Sequence, residues 1–356
     1  MKQIQFGVVG SGWRSLYFLR IAKELPEQFA VTGVVVRDKE KGRLFEKEWD
    51  VKTYRSASEL TRDSPKFVIT SVPWRANAPL IREFSLAGIP VLSETPPAAD
   101  LDELIALIND IGPDAKVQVA EQYPFQPIHA ARQAIIGSDL LGAVSQAQVS
   151  VAHGYHGVAL IRKHLGITFE NAIIAARQYR SHIVAGPDRG GPPSSEKLVD
   201  TTQTVASLDF GEKLGVFDFT GDQYFSWIRS PRVLVRGERG EINNTTVRYL
   251  KDFRTPITAE LMRCDAGQDG NLEGAHHKGI TLGANWIYRN PFVPGRLSDD
   301  EIAVATCMQK MADLVDDGPE FYSLAEASQD HYLSMMIDRA VEIGAAIATT
   351  TQPWAI

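Results

Sequence analysis

The sequence predicts an α/β chain in two domains: a doubly wound parallel sheet in the N-terminal third, then a domain built on one broad sheet. Three observations carry this expectation. Short apolar runs alternate with helix-period segments as far as Ala120, a glycine turn follows the first run, and beyond Ala143 several alternating segments succeed one another. At 356 residues, 44% of them hydrophobic, the chain has the length for about two domains and the apolar content for a core in each.

The opening stretch, IQFGVVGSGWRS from Ile4 to Ser15, reads as strand, turn and helix. Ile4, Phe6, Val8 and Val9 form the buried strand, Gly10, Ser11 and Gly12 the turn, and the helix opens at Trp13 and Arg14. Gly10 can take backbone angles closed to other residues. Gly12 has no side chain to hold a pyrophosphate off the backbone, so the N–H groups and dipole at the helix start can face the anion. The third fingerprint position, which packs helix on strand, is Ser15 rather than Gly or Ala. An ordinary strand-to-helix turn is the alternative; the place of this turn, directly after the first strand of an alternating chain, favours a bound dinucleotide.

The pattern continues with strand 30–36, helix 38–49, strand 51–54, a capped helix start at Ser56, strand 67–72, helix 77–87, strand 89–92, helix 101–111 and strand 116–120. Right-handed crossovers then place ligands at the carboxyl ends of the strands, where Val72, Pro73 and Glu94 fall. Arg37 follows the second strand, where an acid would select NAD and an arginine can pair with the 2′-phosphate of NADP. Asp38, one residue later, is read as the cap of the next helix, so the cofactor expected is NADP or NAD with NADP preferred. The alternative for Arg37 is a solvated surface charge.

A formal charge of −7 argues against nucleic acid or an anionic membrane as partner, since neither finds clustered cations here. No apolar run approaches ~20 residues, and Met1 leads straight into a strand with no secretory signal pattern. The expectation is a cytoplasmic protein with a small-molecule substrate. Cys264 and Cys307 lack metal-ligand spacing and are read as reduced packing residues.

The N-terminal fingerprint, the stretch SVPWRANAPLIREFSLAGIPVLSETP (71–96) and VAHGYHGVALIRKHLG (151–166) together resemble the Gfo/Idh/MocA oxidoreductases. The resemblance implies a Rossmann domain, placed at residues 1–122, followed at 123–356 by an α+β domain with a large open, mostly antiparallel sheet. It also implies NAD(P)-dependent redox chemistry on sugars, cyclitols or related polyols, and a homodimer or homotetramer formed through that sheet. Two motifs depart from the family pattern. Glu94-Thr95-Pro96 stands where the family has Glu-Lys-Pro, and in the helix motif Asp-x-Gly-x-His, Gly154 and His156 match while Ala152 replaces the acid. His156 is therefore the expected acid or base, with Tyr155, Glu94 and Thr95 beside it as catalytic candidates. Gln122, Tyr123, His153 and Arg162 are the substrate-side candidates.

In the second domain, helix 128–136, strand 143–151 and strands 172–183, 201–210, 213–220, 230–236 and 240–244 precede helices 299–315 and 323–348. The loop 186–195 is rich in Gly and Pro and is read as a lid, a partner-contacting arm or plain slack. Asn271, Glu273, His276 and His277 are the only ligand-like polar cluster; adjacent histidines on a flexible segment seldom converge, so no metal is expected. Three functions remain open: a polyol oxidoreductase, an enzyme of elimination or glycoside cleavage that keeps the cofactor but uses it transiently or not at all, and a nucleotide- or sugar-binding regulator that has lost catalysis.

Overall fold

The computed structural model describes residues 3–112 and 115–355. The chain divides into two compact units: the first takes residues 1–127, 264–279 and 289–328, the second 128–263, 280–288 and 329–356.

In the first unit, strands β1 (Ile4–Val9), β2 (Phe29–Val35), β3 (Thr53–Tyr54), β4 (Phe67–Thr70), β5 (Val91–Ser93) and β6 (Val117–Val119) alternate with helices. These are α1 (Ser15–Glu24), α2 (Lys39–Trp49), α3 (Ala57–Leu60), α4 (Trp74–Leu86) and α5 (Leu101–Ile111). The strands pair in parallel in the order β3-β2-β1-β4-β5-β6. This is the doubly wound sheet that the alternation predicts, with its topological switch between β1 and β4. Its strands are apolar on both faces, Val8 and Ile69 on one and Val9 and Val68 on the other being buried, because helices cover both sides. Two boundaries move. The helix expected from Trp13 starts at Ser15, since the N–H groups of Ser15, Leu16 and Tyr17 bond carbonyls only three residues back. The helix expected from Asn77 starts at Trp74, and Pro79 is carried inside it.

The second unit contains α6 (Pro127–Gly137), whose first residue falls in the first unit, β7 (Val144–Ser150), α7 (Gly154–Leu165), β8 (Ile173–Val184), β9 (Leu198–Asp209), β10 (Leu214–Thr220), β11 (Arg232–Gly237) and β12 (Gly240–Asn243). Then follow β13 (Thr246–Asp252), β14 (Thr255–Asp265), β15 (His277–Leu282), β16 (Asn285–Arg289), α9 (Leu324–Ile343) and β17 (Ile347–Ala348), while α8 (Asp299–Val315) belongs to the first unit. Eleven strands form one sheet in the order β16-β15-β14-β13-β12-β11-β7-β10-β9-β8-β17. β7 and β10 run parallel, while β8–β9, β9–β10, β7–β11 and β11–β12 are antiparallel.

α6 buries Ala131 and Ile135 against Val233, Val235, Ile242 and Val247 of this sheet. The alternating exposure of β8 and β9 leaves Ile173, Tyr179 and Leu198 in solvent. Strands β13 to β17 extend the sheet beyond the segments expected as strands. β13 and β14 carry one buried apolar residue each, Val247 and Leu261, so little in their sequence marks a core-facing side. The long C-terminal helix, expected to reach Ala348, stops at Ile343: Gly344 turns into the left-handed region with φ 70°, and Ile347 and Ala348 pair with β8 instead. α8 begins as expected, on a Ser298–Glu301 capping box, and holds Cys307 buried. Among the described residues no helix is long and apolar enough to cross a membrane.

Candidate functional site

The glycine turn closes β1. Gly10 has φ 124°, its N–H donates to the Val35 carbonyl at 3.2 Å, and a Cβ there would lie 1.9 Å from the Ser71 carbonyl oxygen. Only glycine fits. A Cβ at Gly12 would meet nothing within 4 Å, so the protein itself does not need glycine there; the space is open. α1 starts three residues on with no acid in its first turn. Open space at a helix start is what a dinucleotide pyrophosphate requires.

Ser11 is half-buried and Trp13 exposed, its ring edge-on to Tyr17 at 5.8 Å. Arg14 turns inward: Nε donates to Glu94 Oε1 at 2.7 Å, the guanidinium lies 5.0 Å from the Tyr17 ring centroid, and Nη2 is buried with no acceptor in the protein. A buried N–H of this kind is a place for a ligand's acceptor.

Glu94-Thr95-Pro96 leaves β5 with the Thr95–Pro96 bond cis. One buried amide holds this loop. Asn77 Nδ2, on α4, donates to Ser93 Oγ and to the carbonyls of Glu94 and Pro96, each at 3.0 Å, while Thr70 Oγ1 donates to Asn77 Oδ1 at 2.7 Å. Thr95 is half-buried beside it. At the end of β6, Glu121 is buried and its carboxyl is pushed up to about 8 by loss of solvation, against the opposing pull of the Tyr123 N–H and Arg14. Gln122 is buried too, with Oε1 lacking a donor, and Tyr123 is half-buried. Val72 and the exposed Pro73 lie just beyond β4. Arg37 is exposed after β2, and the Asp38 carboxylate accepts the Lys41 N–H at 2.7 Å, capping α2 as expected. The first unit thus gathers the turn, Arg14 and Glu94, and leaves Arg37 at the surface.

The second unit holds the histidines. His153 precedes α7, and Tyr155 and His156 lie in its first turn. The His153 ring is 5.0 Å from that of His156 and 5.2 Å from that of Tyr155, and Tyr155 and His156 are 4.5 Å apart. Two further residues join them: Tyr224, whose hydroxyl lies 2.6 Å from His153 Nδ1, and His331 of α9, with its ring 5.5 Å from Tyr155. Burial, with His156 as the next cause, pushes His153 down to about 4, so it is neutral at pH 7. Ala152 is wholly buried where the motif would have its acid.

Arg162, a substrate-side candidate, is buried. Its Nη1 meets Asp330 Oδ1 at 2.5 Å and its Nε and Nη2 donate to the Thr168 carbonyl, so it ties α7 to α9. Neither Tyr224 nor His331 carries a sequence signal beyond residue type. His277 bonds Asp265 at 2.7 Å and Glu273 pairs with Lys278; among the described residues no three His, Cys, Asp or Glu side chains are placed to hold a metal ion.

Over the first domain the resemblance to the Gfo/Idh/MocA oxidoreductases is borne out. Residues 4–119 match that family's model, described as "Oxidoreductase family, NAD-binding Rossmann fold". Compared by sequence with curated proteins, the chain matches none. Among solved structures it is similar to levoglucosan dehydrogenase in complex with NADH and levoglucosan, at 14% identity and TM-score 0.70 over 97% of this chain and 99% of that one. It is similar to a myo-inositol dehydrogenase from Corynebacterium glutamicum, at 14% identity and TM-score 0.66 over 98% and 99%. The WlbA dehydrogenase from Bordetella pertussis, in complex with NADH and UDP-GlcNAcA, gives 15% identity and TM-score 0.64 over 99% of both chains. At these identities the likeness is one of fold.

Proposed function

We propose that this protein, whose first domain carries the NAD-binding fold of the Gfo/Idh/MocA oxidoreductases, transfers hydride between NAD(P) and a sugar, cyclitol or related polyol. The observation that carries the reading is the glycine turn, where Gly10 is required by the protein and Gly12 faces open space at the start of α1, into which a pyrophosphate fits. Gly10, Ser11, Gly12 and the start of α1 would hold the pyrophosphate, with the Arg14 Nη2 group supplying a donor that the protein leaves unsatisfied. When bound, the nicotinamide supplies the hydride acceptor.

Oxidation of a carbinol also releases the hydroxyl proton, and His156 is the group assigned to take it, with Tyr155 and His153 beside it. The C–H electron pair leaves as hydride, the O–H proton goes to imidazole, and a carbonyl remains. Arg37 favours NADP, because the neighbouring Asp38 carboxylate is already engaged by α2. The exposed face of β8 and β9, with Ile173 and Tyr179, is the surface proposed for a second copy of the chain. Light scattering on the purified protein reads that state.

The decisive experiment is cofactor titration by calorimetry followed by absorbance at the reduced nicotinamide band with levoglucosan, myo-inositol and other polyols. Saturable binding and net NADPH or NADH formation are expected. Failure of both cofactors to bind would overturn the reading, whereas substrate consumption without net reduction would favour transient oxidation.

A further inference from the structure

We propose that Tyr224 is a positioning residue that holds His153 as the tautomer protonated on Nε2, so that His153 offers a hydrogen-bond donor to a substrate hydroxyl beside His156. The proposal rests on the reading of the α7 start as the substrate side of a polyol site. Tyr224 oxygen lies 2.6 Å from His153 Nδ1, and the backbone N–H of His153 donates to the same oxygen at 3.0 Å. A phenol hydroxyl has one proton. The backbone N–H occupies one lone pair of that oxygen, and a hydroxyl proton directed at Nδ1 over 2.6 Å makes that nitrogen the acceptor. A neutral imidazole that accepts at Nδ1 carries its proton on Nε2. Partial loss of solvation and the neighbouring His156 push the ring down to about 4.

Tyr224 is itself held firmly. It ends a short turn, Gly221–Tyr224, closed by the Thr220 and Gln223 capping box. Gln223 Nε2 donates to Ser150 Oγ at 3.1 Å, at the end of β7, and to the Ser230 carbonyl at 3.3 Å. The Phe219 ring stands 5.1 Å from that of Tyr224. β7 leads directly to His153, so one strand end fixes both partners of the hydrogen bond. The rings that face His153 are those of Tyr155, His156 and Tyr224, and of these only His156 can become a cation.

Nitrogen NMR of the whole protein labelled on histidine, with His153 assigned by its loss in His153→Gln, reads the tautomer without any substrate. The expected spectrum has a protonated Nε2 and an unprotonated Nδ1 from pH 8 to pH 5. A wild-type His153 protonated on Nδ1, or one titrating in the ordinary histidine range, overturns the proposal even where Tyr224→Phe fails to fold. In a folded Tyr224→Phe the two tautomers should mix, and KM for a turned-over polyol should rise about 10-fold, with kcat within about twofold and cofactor Kd unchanged, the loss of one neutral hydrogen bond. An unchanged KM in a variant that has lost the tautomer overturns the role in binding. Absence of turnover in the wild type counts against the polyol reading alone, because the spectrum reports on the imidazole by itself.

Discussion

At the residue scale, two glycines of one turn answer to different demands. Gly10→Ala would force a Cβ toward the Ser71 carbonyl at a φ of 124°, so it should destabilise the fold by roughly 2–4 kcal/mol. Gly12→Val meets no protein atom at Cβ and should leave Tm nearly unchanged while abolishing NAD(P) binding by calorimetry. A Gly12→Val protein that binds cofactor normally would show that the pyrophosphate lies elsewhere. His156→Ala should lower kcat by roughly 10²- to 10⁴-fold with cofactor affinity retained, the usual worth of a positioned acid or base. Undiminished turnover in that variant would place proton transfer on another group.

At the element scale, the ends of β4 and β5 are joined through one side chain of α4. Asn77 is 2% exposed and makes four hydrogen bonds, three of them to the Ser93–Pro96 segment. Removing it strands several buried polar atoms at once, so Asn77→Ala should cost roughly 2–4 kcal/mol in denaturant unfolding and weaken cofactor binding by loosening the loop that carries Glu94. A loss in stability below about 0.5 kcal/mol would mean that water replaces the amide. The alternation that announces these strands and helices is legible in the sequence because each is buried on a fixed period. The amide that ties them is not, because Asn77 sits in a helix with nothing local to name its partners.

At the scale of the whole molecule, buried titratable groups set the pH range of stability. His164 is pushed down to about 3 and His129 well down, both chiefly by burial, while His153, pushed down to about 4, is more exposed and contributes less. Each is neutral in the folded chain and gains its proton on unfolding below the ordinary value of 6.5. Their contribution is therefore complete above pH 6.5 and is lost as pH falls through 4 toward 3. Glu121 acts in the opposite sense: pushed up to about 8, it stays protonated in the fold while the unfolded chain ionises near 4.5, so its stabilisation is present below 4.5 and lost as pH rises toward 8. Calorimetric scans should show Tm falling steeply below pH 6.5, and Glu121→Gln should raise Tm at pH 8 with little change at pH 5. A Glu121→Gln protein with no gain at pH 8 would mean that the carboxyl is ionised in the fold.

The sequence by itself determined the doubly wound sheet, the glycine turn and the Asp38 cap. Each of these is written in local spacing: burial periodicity, a turn that needs glycine, a cap that lies three residues from its donor. The tertiary structure alone decided which polar groups meet. Arg14 and Glu94 are 80 residues apart, and His153 and Tyr224 are 71 apart. It also decided that Arg162 turns to Asp330 and that β13 to β17 widen the second sheet. The physical reason is common to all of these. Local pattern tells a side chain whether it faces the interior, whereas its partner there is set by strand order and crossovers that bring distant segments together.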